Sequence, residues 1–217
     1  MTVLQQIQEK KIIAIIRGVS SKDILETAKA LIAGGIRLME ITFDHTSEDG
    51  MRNTLECFDI LRSELGDEIL MGAGTVLTAE EVELACQHGA KYIISPNTDE
   101  AVIRRTKELG LVSMPGALTP SEVVQAKNYG ADIVKLFPAG DLGMGYIKSV
   151  KAPLAHISMA AVGGVNENNI GDFAKIGVDG FGIGSNLVNA KAVAAGNFNG
   201  ITETAKKLVD NLHKALC

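Results

Sequence analysis

The feature that most constrains the fold of this chain is a regular alternation of short β-branched runs with amphipathic stretches. Strands that alternate with helical segments form βαβ units, so these runs predict a parallel sheet. The eight predicted strands are Lys11–Arg17, Leu38–Phe43, Ile69–Thr75, Tyr92–Pro96, Val112–Pro115, Ile133–Phe137, Ser158–Val162 and Gly180–Ile183. Eight parallel strands is the number that closes a (β/α)8 barrel.

Helices are predicted between the strands, where apolar residues recur at i, i+3 and i+4. Clear examples are Lys22–Ala33, Thr78–His88, Asp99–Leu109 and Pro120–Tyr129. A further helix, Val3–Glu9, precedes the first strand and is placed to cover the bottom of a barrel. The segment Asn186–Asn199 is predicted to be loose, and a last helix spans Thr202–Ala215.

The chain of 217 residues falls in the range of about 200–250 residues that one barrel of this kind needs. We therefore expect an α/β fold in which residues 1–217 form a single TIM-barrel domain with an additional N-terminal helix. A doubly wound open sheet is the alternative. The Gly-x-Gly runs at Gly72 and Gly182 lack the third spaced glycine of a dinucleotide site, which weakens that alternative.

Composition excludes several classes of protein. The net charge of -5 arises from 21 basic and 26 acidic residues, with no basic stripe for nucleic acid. The sequence contains no run of about 18 apolar residues, so no membrane-spanning segment is predicted. The three cysteines have no metal-type spacing, and no His/Asp/Glu cluster predicts a metal site. We expect a cytoplasmic protein that binds neither nucleic acid nor membrane.

Lys135 is the polar residue that is most out of place in the predicted strands. It lies in the run Ile-Val-Lys-Leu-Phe-Pro, on the same strand face as Ile133 and Phe137. A lysine whose stem is buried and whose ammonium reaches solvent at the rim is one interpretation. The other is a desolvated amine with a lowered pKa that attacks a carbonyl and forms a Schiff base.

Two further charged residues, Glu40 and Arg17, fall on predicted strands. Glu40 shares a face with Leu38 and Thr42, where a carboxylate requires a cation or becomes protonated. It is either half of a structural ion pair or a proton-transfer base beside Lys135. Arg17 ends the first strand, a place suited to a substrate carboxylate or phosphate, and equally to an ordinary rim ion pair.

Short glycine motifs follow the last two strands. Gly163-Gly164 ends the seventh, and Gly182-Ile183-Gly184-Ser185 ends the eighth. Phosphate sites of barrels often lie at these two loops, where glycine amides form an anion nest; a tight turn is the simpler interpretation. Thr75 and Pro96 follow the third and fourth strands, where they are candidates to line a pocket for a keto acid.

Seven motifs occur along the chain in the same order as in the 2-keto-3-deoxy-6-phosphogluconate / 4-hydroxy-2-oxoglutarate aldolases, and the chain resembles this family. These are class I, Schiff-base aldolases, and the likeness spans essentially the whole chain. The motifs are Met-Glu-Ile-Thr (39–42), Gly-Ala-Gly-Thr-Val (72–76), Ile-Ser-Pro-Asn (94–97), Pro-Gly-Ala-Leu-Thr-Pro-Ser-Glu (115–122), Lys-Leu-Phe-Pro-Ala (135–139), Val-Gly-Gly-Val (162–165) and Gly-Ile-Gly-Ser (182–185).

The resemblance implies a role for each candidate residue. Lys135 is the Schiff-base lysine and Glu40 the general acid/base. The remaining implied contacts are Thr75, Pro96 and Phe137 around the pyruvate moiety and Gly163, Gly164 and Ser185 at the phosphate. Arg17, Val162 and Gly184 are further candidate substrate contacts because of their places at the ends of predicted strands. The resemblance also implies a (β/α)8 barrel, a homotrimer and no cofactor or metal.

The chain departs from the phosphogluconate enzymes at two motifs. Asp44 replaces an arginine, and Val162 replaces a threonine whose hydroxyl would bind a substrate hydroxyl. Arg17 stands where the typical enzyme has an apolar residue. The Ile-Ile-Arg-Gly start and the Ala-Val-Gly-Gly loop resemble the 2-keto-3-deoxy-6-phosphogalactonate branch. Because a lost hydrogen bond alters discrimination between substrates, the preference for one C4 epimer is expected to change. Asp44 reverses a charge, which argues against tight phosphate binding.

The sequence therefore predicts a lyase that cleaves a 2-keto-3-deoxy-6-phospho sugar acid, of phosphogluconate or phosphogalactonate type, to pyruvate and glyceraldehyde 3-phosphate. Three alternatives remain. The first is the same chemistry on 4-hydroxy-2-oxoglutarate, which yields pyruvate and glyoxylate. The second is a sugar-phosphate isomerase or epimerase with Glu40 as base. The third is a non-catalytic protein that binds a phosphorylated ligand.

Overall fold

The computed structural model describes residues 1–217 and contains one parallel sheet of nine strands surrounded by helices. The strands are β1 (Ile12–Ile16), β2 (Leu38–Thr42), β3 (Leu70–Gly74), β4 (Tyr92–Ile94), β5 (Val112–Met114), β6 (Gly116–Ala117), β7 (Val134–Leu136), β8 (Met159–Val162) and β9 (Gly180–Ile183). The helices are α1 (Val3–Lys10), α2 (Ile24–Ala33), α3 (Glu48–Leu65), α4 (Ala79–Gln87), α5 (Glu100–Glu108), α6 (Pro120–Tyr129), α7 (Ala139–Lys151), α8 (Ile170–Lys175), α9 (Ala190–Ala194) and α10 (Phe198–Leu216).

The predicted barrel is confirmed, with one change in its fifth strand. Hydrogen-bonded neighbours follow the order β5-β4-β3-β2-β1-β9-β8-β7-β6. The expected strand Val112–Pro115 is two short strands, β5 and β6, on either side of Pro115. Proline has no backbone N–H to donate, so the ladder is interrupted there. Because β5 pairs with β4 and β6 pairs with β7, this one stretch of chain closes the barrel.

Alternate residues of each strand face the barrel interior, as the period of two requires. The lower interior is a cluster of buried apolar side chains that includes Ile13, Leu38, Tyr92 and Ile133. Ile7 of α1 is fully buried in the same cluster, so α1 covers the bottom of the barrel as predicted. Complete burial of such a side chain contributes about 1.5–3 kcal/mol, which makes α1 a stabilising plug.

The opposite strand faces pack against the surrounding helices in a second, larger core. The helix that begins at Pro120 shows how the sequence sets these boundaries. Thr119 and Glu122 form a reciprocal capping box, and Gly130 ends the helix at φ 113°. Residues other than glycine rarely adopt that left-handed conformation, so the helix stops there and the chain turns into β7.

The structure corrects two predictions near the C-terminus. The segment Asn186–Asn199 is not uniformly loose, because it contains the short helix α9, capped by the side chain of Asn189. The last helix begins at Phe198, earlier than predicted, with the Asn197 side chain as its cap. No helix combines the length and apolar composition that crossing a bilayer requires.

Candidate active site

A cavity of about 370 Å³ opens at the carboxyl ends of the barrel strands. It lies above the apolar cluster of the lower barrel interior, at the end of the barrel where enzymes of this fold carry their catalytic residues. All of the site residues that the sequence singled out line this one cavity. They are Arg17, Glu40, Thr75, Pro96, Lys135, Phe137, Val162, Gly163, Gly164, Gly184 and Ser185.

Lys135 and Glu40 are the two buried charged groups of the cavity. Lys135, in the middle of β7, is 7 % exposed, and Glu40, in the middle of β2, is 2 % exposed. The Lys135 Nζ lies 4.9 Å from the centre of the Phe137 ring, and no salt bridge joins it to Glu40. The Glu40 Oε2 is buried without a hydrogen-bond partner. Both groups are therefore available to a substrate.

Burial shifts both groups toward their neutral forms. Removal from water raises the pKa of Glu40, against the opposing effect of the Lys135 and Arg17 charges. Burial likewise lowers the pKa of Lys135, and the Arg17 charge lowers it further, while Glu40 acts in the opposite direction. A lysine with a lowered pKa holds more of its free, nucleophilic amine at neutral pH.

Arg17 and Thr75 are joined across the mouth of the cavity. The Arg17 guanidinium donates a hydrogen bond of 2.9 Å to the Thr75 hydroxyl. Thr75 has a φ of 58°, a left-handed conformation that costs a β-branched residue about 1–3 kcal/mol. The turn after β3 is thus held in a strained form that directs a hydroxyl and a guanidinium into the cavity.

Replacing Arg17 with glutamine should move the pH dependence of Lys135 reactivity upward. The Arg17 charge lowers the pKa of Lys135, so its removal raises that pKa. Less free amine then exists at neutral pH, so the rate of adduct formation at saturating pyruvate should fall there, and the midpoint of its pH profile should move to higher pH. The measurement is that rate as a function of pH, with borohydride as the trap.

Arg52→Gln is the matched control, because Arg52 is an exposed residue of α3 that pairs with Asp49. It should leave the pH profile unchanged. A profile that stays in place in Arg17→Gln, or moves to lower pH, would contradict the electrostatic role of Arg17.

The glycine loops after β8 and β9 also line the cavity. Gly163 and Gly164 have φ values of 87° and 74°. Their carbonyl oxygens accept hydrogen bonds from the Gly140 N–H at 2.8 Å and from the Asn169 side chain at 2.9 Å. With the carbonyls engaged in this way, the N–H groups of the same loop are the donors left for an anion.

Asp44 does not line the cavity. Its Oδ1 accepts hydrogen bonds from the Thr46 N–H at 2.9 Å and the Thr46 hydroxyl at 2.7 Å. These bonds lower the pKa of Asp44 and hold the carboxylate in the turn before α3. The charge reversal at this position therefore places no carboxylate among the groups that line the cavity.

Four lining residues were missed in the sequence: Ile15, Val165, Gly182 and Asn186. Strand alternation gave a signal for Ile15, which shares a face with Ile13 and Arg17. Gly182 is explained by packing, because a Cβ built there would lie 2.9 Å from a methyl group of Val162. Asn186 gave no signal; its side chain bonds to the Val165 carbonyl at 3.2 Å and joins the two loops.

The barrel, the buried lysine and the neighbouring carboxylate together define the class of lysine-dependent aldolases. The family model for KDPG and KHG aldolase matches residues 3–204. The chain belongs to this family, whose members are carbon–carbon lyases.

Individual relatives agree with this assignment. The chain is 39% identical over 180 residues to a probable 2-dehydro-3-deoxy-6-phosphogalactonate aldolase of Rhizobium meliloti, covering 82% of each chain. A solved structure described as native KDPGal is 32% identical with a TM-score of 0.85, covering 94% of this chain and 95% of the other. The KDPG aldolase of Legionella pneumophila, solved with pyruvate as a covalent carbinolamine, is 26% identical with a TM-score of 0.82, covering 91% and 93%.

Proposed function

We propose that this protein is a class I aldolase that cleaves a 2-keto-3-deoxy-6-phospho sugar acid into pyruvate and glyceraldehyde 3-phosphate. The observation that carries the proposal is the placement of a buried lysine amine and a buried carboxylate in the same cavity. The family and the covalent pyruvate adduct described for the Legionella relative support it.

Lys135 is the nucleophile of the proposed mechanism. Its free amine attacks the C2 ketone of the substrate and forms a carbinolamine. Glu40 assists the loss of water, which gives a protonated imine on the Lys135 Nζ. The lowered pKa of Lys135 favours the attacking amine, because burial penalises the ammonium form.

The imine then serves as the electron sink for carbon–carbon cleavage. Glu40 accepts the proton of the C4 hydroxyl, the C3–C4 bond breaks, and its electrons move to the imine nitrogen to form an enamine. The aldehyde leaves. Protonation at C3 restores the imine, and hydrolysis releases pyruvate and the free lysine. The atoms and electrons balance without a cofactor.

The remaining residues bind the substrate in this proposal. Arg17 and Thr75 are placed to bind the carboxylate of the keto acid, which a guanidinium recognises well. Pro96 and Phe137 pack against the pyruvate carbons. The amides of Gly163, Gly164, Gly184 and Ser185 bind the phosphate as an anion nest.

Val162 supports a preference for the phosphogalactonate configuration. It ends β8, is 4 % exposed and lines the cavity, so it presents methyl groups where a hydroxyl would bind one C4 epimer. The relative from Rhizobium meliloti carries the phosphogalactonate name.

Replacing Val162 with threonine should shift the ratio of kcat/KM for the two C4 epimers. The new hydroxyl gains a hydrogen bond with one configuration, and a bond worth about 0.5–1.5 kcal/mol changes the ratio roughly two- to tenfold. Kinetics on both epimers measure it. Val209→Thr, on the outer helix α10 and outside the lining of the cavity, is the control. An unchanged ratio in Val162→Thr would show that Val162 does not set the preference between the two epimers.

A substrate panel tests the proposed function. The protein is incubated with both phosphorylated epimers, their unphosphorylated forms and 4-hydroxy-2-oxoglutarate, and pyruvate is measured. Pyruvate from the phosphorylated acids supports the proposal. Pyruvate from 4-hydroxy-2-oxoglutarate alone would replace it with that activity, and binding or isomerisation without pyruvate would contradict aldol cleavage.

Assembly and location complete the proposal. A homotrimer is supported by exposed apolar side chains, Leu77, Leu118 and Val124, which are suited to a contact between subunits. The three cysteines are unpaired, which supports a reducing, cytoplasmic compartment. Light scattering of the purified protein at micromolar concentration gives the mass that decides the oligomeric state.

A further inference from the structure

The carboxylate of Glu40 occupies the space that a side chain at position 74 would need. In the parallel ladder Glu40 is the register partner of Gly72, and Gly74 lies two residues further along β3 on the same face. A Cβ built on Gly74 would lie 2.5 Å from the Glu40 Cδ and closer still to Oε1. Any side chain at position 74 therefore requires the carboxylate to move.

Packing, rather than hydrogen bonding, sets the position of this carboxylate. No protein group donates a hydrogen bond to the Glu40 carboxylate, and its buried Oε2 has no partner. The neighbouring space on β3 is already filled, because a Cβ at Gly72 would lie 2.5 Å from Cζ of the Tyr92 ring. The gap at Gly74 is thus the space on β3 left for the carboxylate.

We propose that Gly74 is a positioning residue for proton transfer, because its missing side chain sets where the Glu40 carboxylate stands relative to Lys135. This inference rests on the proposed aldolase function. Gly74 does not touch the substrate and acts through Glu40. Imine formation requires Lys135, whereas removal of a C3 proton from the bound pyruvate imine also requires a correctly placed base.

The test is the variant Gly74→Ala, assayed with pyruvate in D2O. Each exchange event moves a methyl proton from the C3 of the imine to the Glu40 carboxylate, forms the enamine, and returns a deuteron. The exchange rate, measured by NMR, should fall roughly 10- to 100-fold. The equilibrium amount of borohydride-trapped Lys135 adduct should stay at the wild-type level. A residue with a merely structural role would lower both readouts together.

Gly180→Ala is the matched control. Gly180 is also a strand glycine of the barrel, but a Cβ there meets only ordinary contacts, the nearest at 3.4 Å to the Lys11 carbonyl oxygen. It should leave both readouts unchanged. The second control is the pair of variants Glu40→Ala and Glu40→Ala/Gly74→Ala. With no carboxylate to displace, the added alanine should change the residual exchange less than about twofold.

Each outcome decides the inference. Wild-type exchange in Gly74→Ala, or equal losses from Gly74→Ala in both backgrounds, would overturn it. Should Gly74→Ala fail to fold, recovery of the fold in Glu40→Ala/Gly74→Ala supports the overlap with the carboxylate, and persistent unfolding overturns it. Failure of the proposed function is distinguishable, because the wild-type protein itself would then show neither adduct nor exchange.

Discussion

Replacing Lys135 with methionine should abolish carbon–carbon cleavage, with a loss of at least about 10⁴-fold, because no other group in the cavity replaces the attacking amine. The fold should persist. Methionine has a similar length and leaves no ammonium to bury, and the pKa of Glu40, no longer lowered by the Lys135 charge, rises further toward the neutral form that burial favours. Pyruvate release and a circular dichroism melt measure the two effects.

Lys91→Met is the control for Lys135. Lys91 precedes β4 at the other end of the barrel and is exposed to solvent, so its loss should leave the rate within about twofold of the wild type. Cleavage by Lys135→Met within tenfold of the wild-type rate would remove the Schiff-base mechanism. It would leave an electrostatic role for Lys135, as an isomerase requires.

Replacing Glu40 with glutamine should lower kcat by roughly 10²- to 10⁴-fold, the usual contribution of a general acid/base. The amide fills the same space but does not accept the proton of the C4 hydroxyl. The Lys135 adduct with pyruvate should still form, more slowly, because in that step Glu40 assists the loss of water while the Lys135 amine forms the bond to C2. Steady-state kinetics and borohydride trapping distinguish the two steps.

Thr42→Val provides the comparison for Glu40. Thr42 is on the same face of β2 and is buried, but it lies outside the lining of the cavity and bonds to the Ile16 carbonyl at 3.4 Å. Its loss should affect stability more than rate. Equal kcat in Glu40→Gln and wild type would show that water or another residue handles the proton.

Much of the site was predictable because strand alternation fixes direction. A residue on a barrel strand points either inward or toward the helices, and Lys135 and Glu40 both fall on the inward face. Because β2 and β7 belong to the same barrel, both side chains enter one interior. Polar side chains that interrupt apolar strands were therefore sufficient to place Lys135 and Glu40 in one cavity.

The parts that the sequence did not predict depend on contacts between distant segments. The break at Pro115 divides a predicted strand because β5 and β6 pair with different neighbours. The left-handed conformation of Thr75 is contrary to local preference, and its hydroxyl bonds to Arg17, 58 residues away in sequence. The hydrogen bonds that hold the Asp44 carboxylate arise in a local turn that residue type alone does not reveal.

The account is tested most directly by incubating the wild-type protein with pyruvate and borohydride, followed by intact mass measurement and peptide mapping. We expect one added pyruvate-derived group per chain, on the peptide that contains Lys135, and none in Lys135→Met. Absence of an adduct on folded protein in excess pyruvate, or an adduct on another lysine, would contradict it.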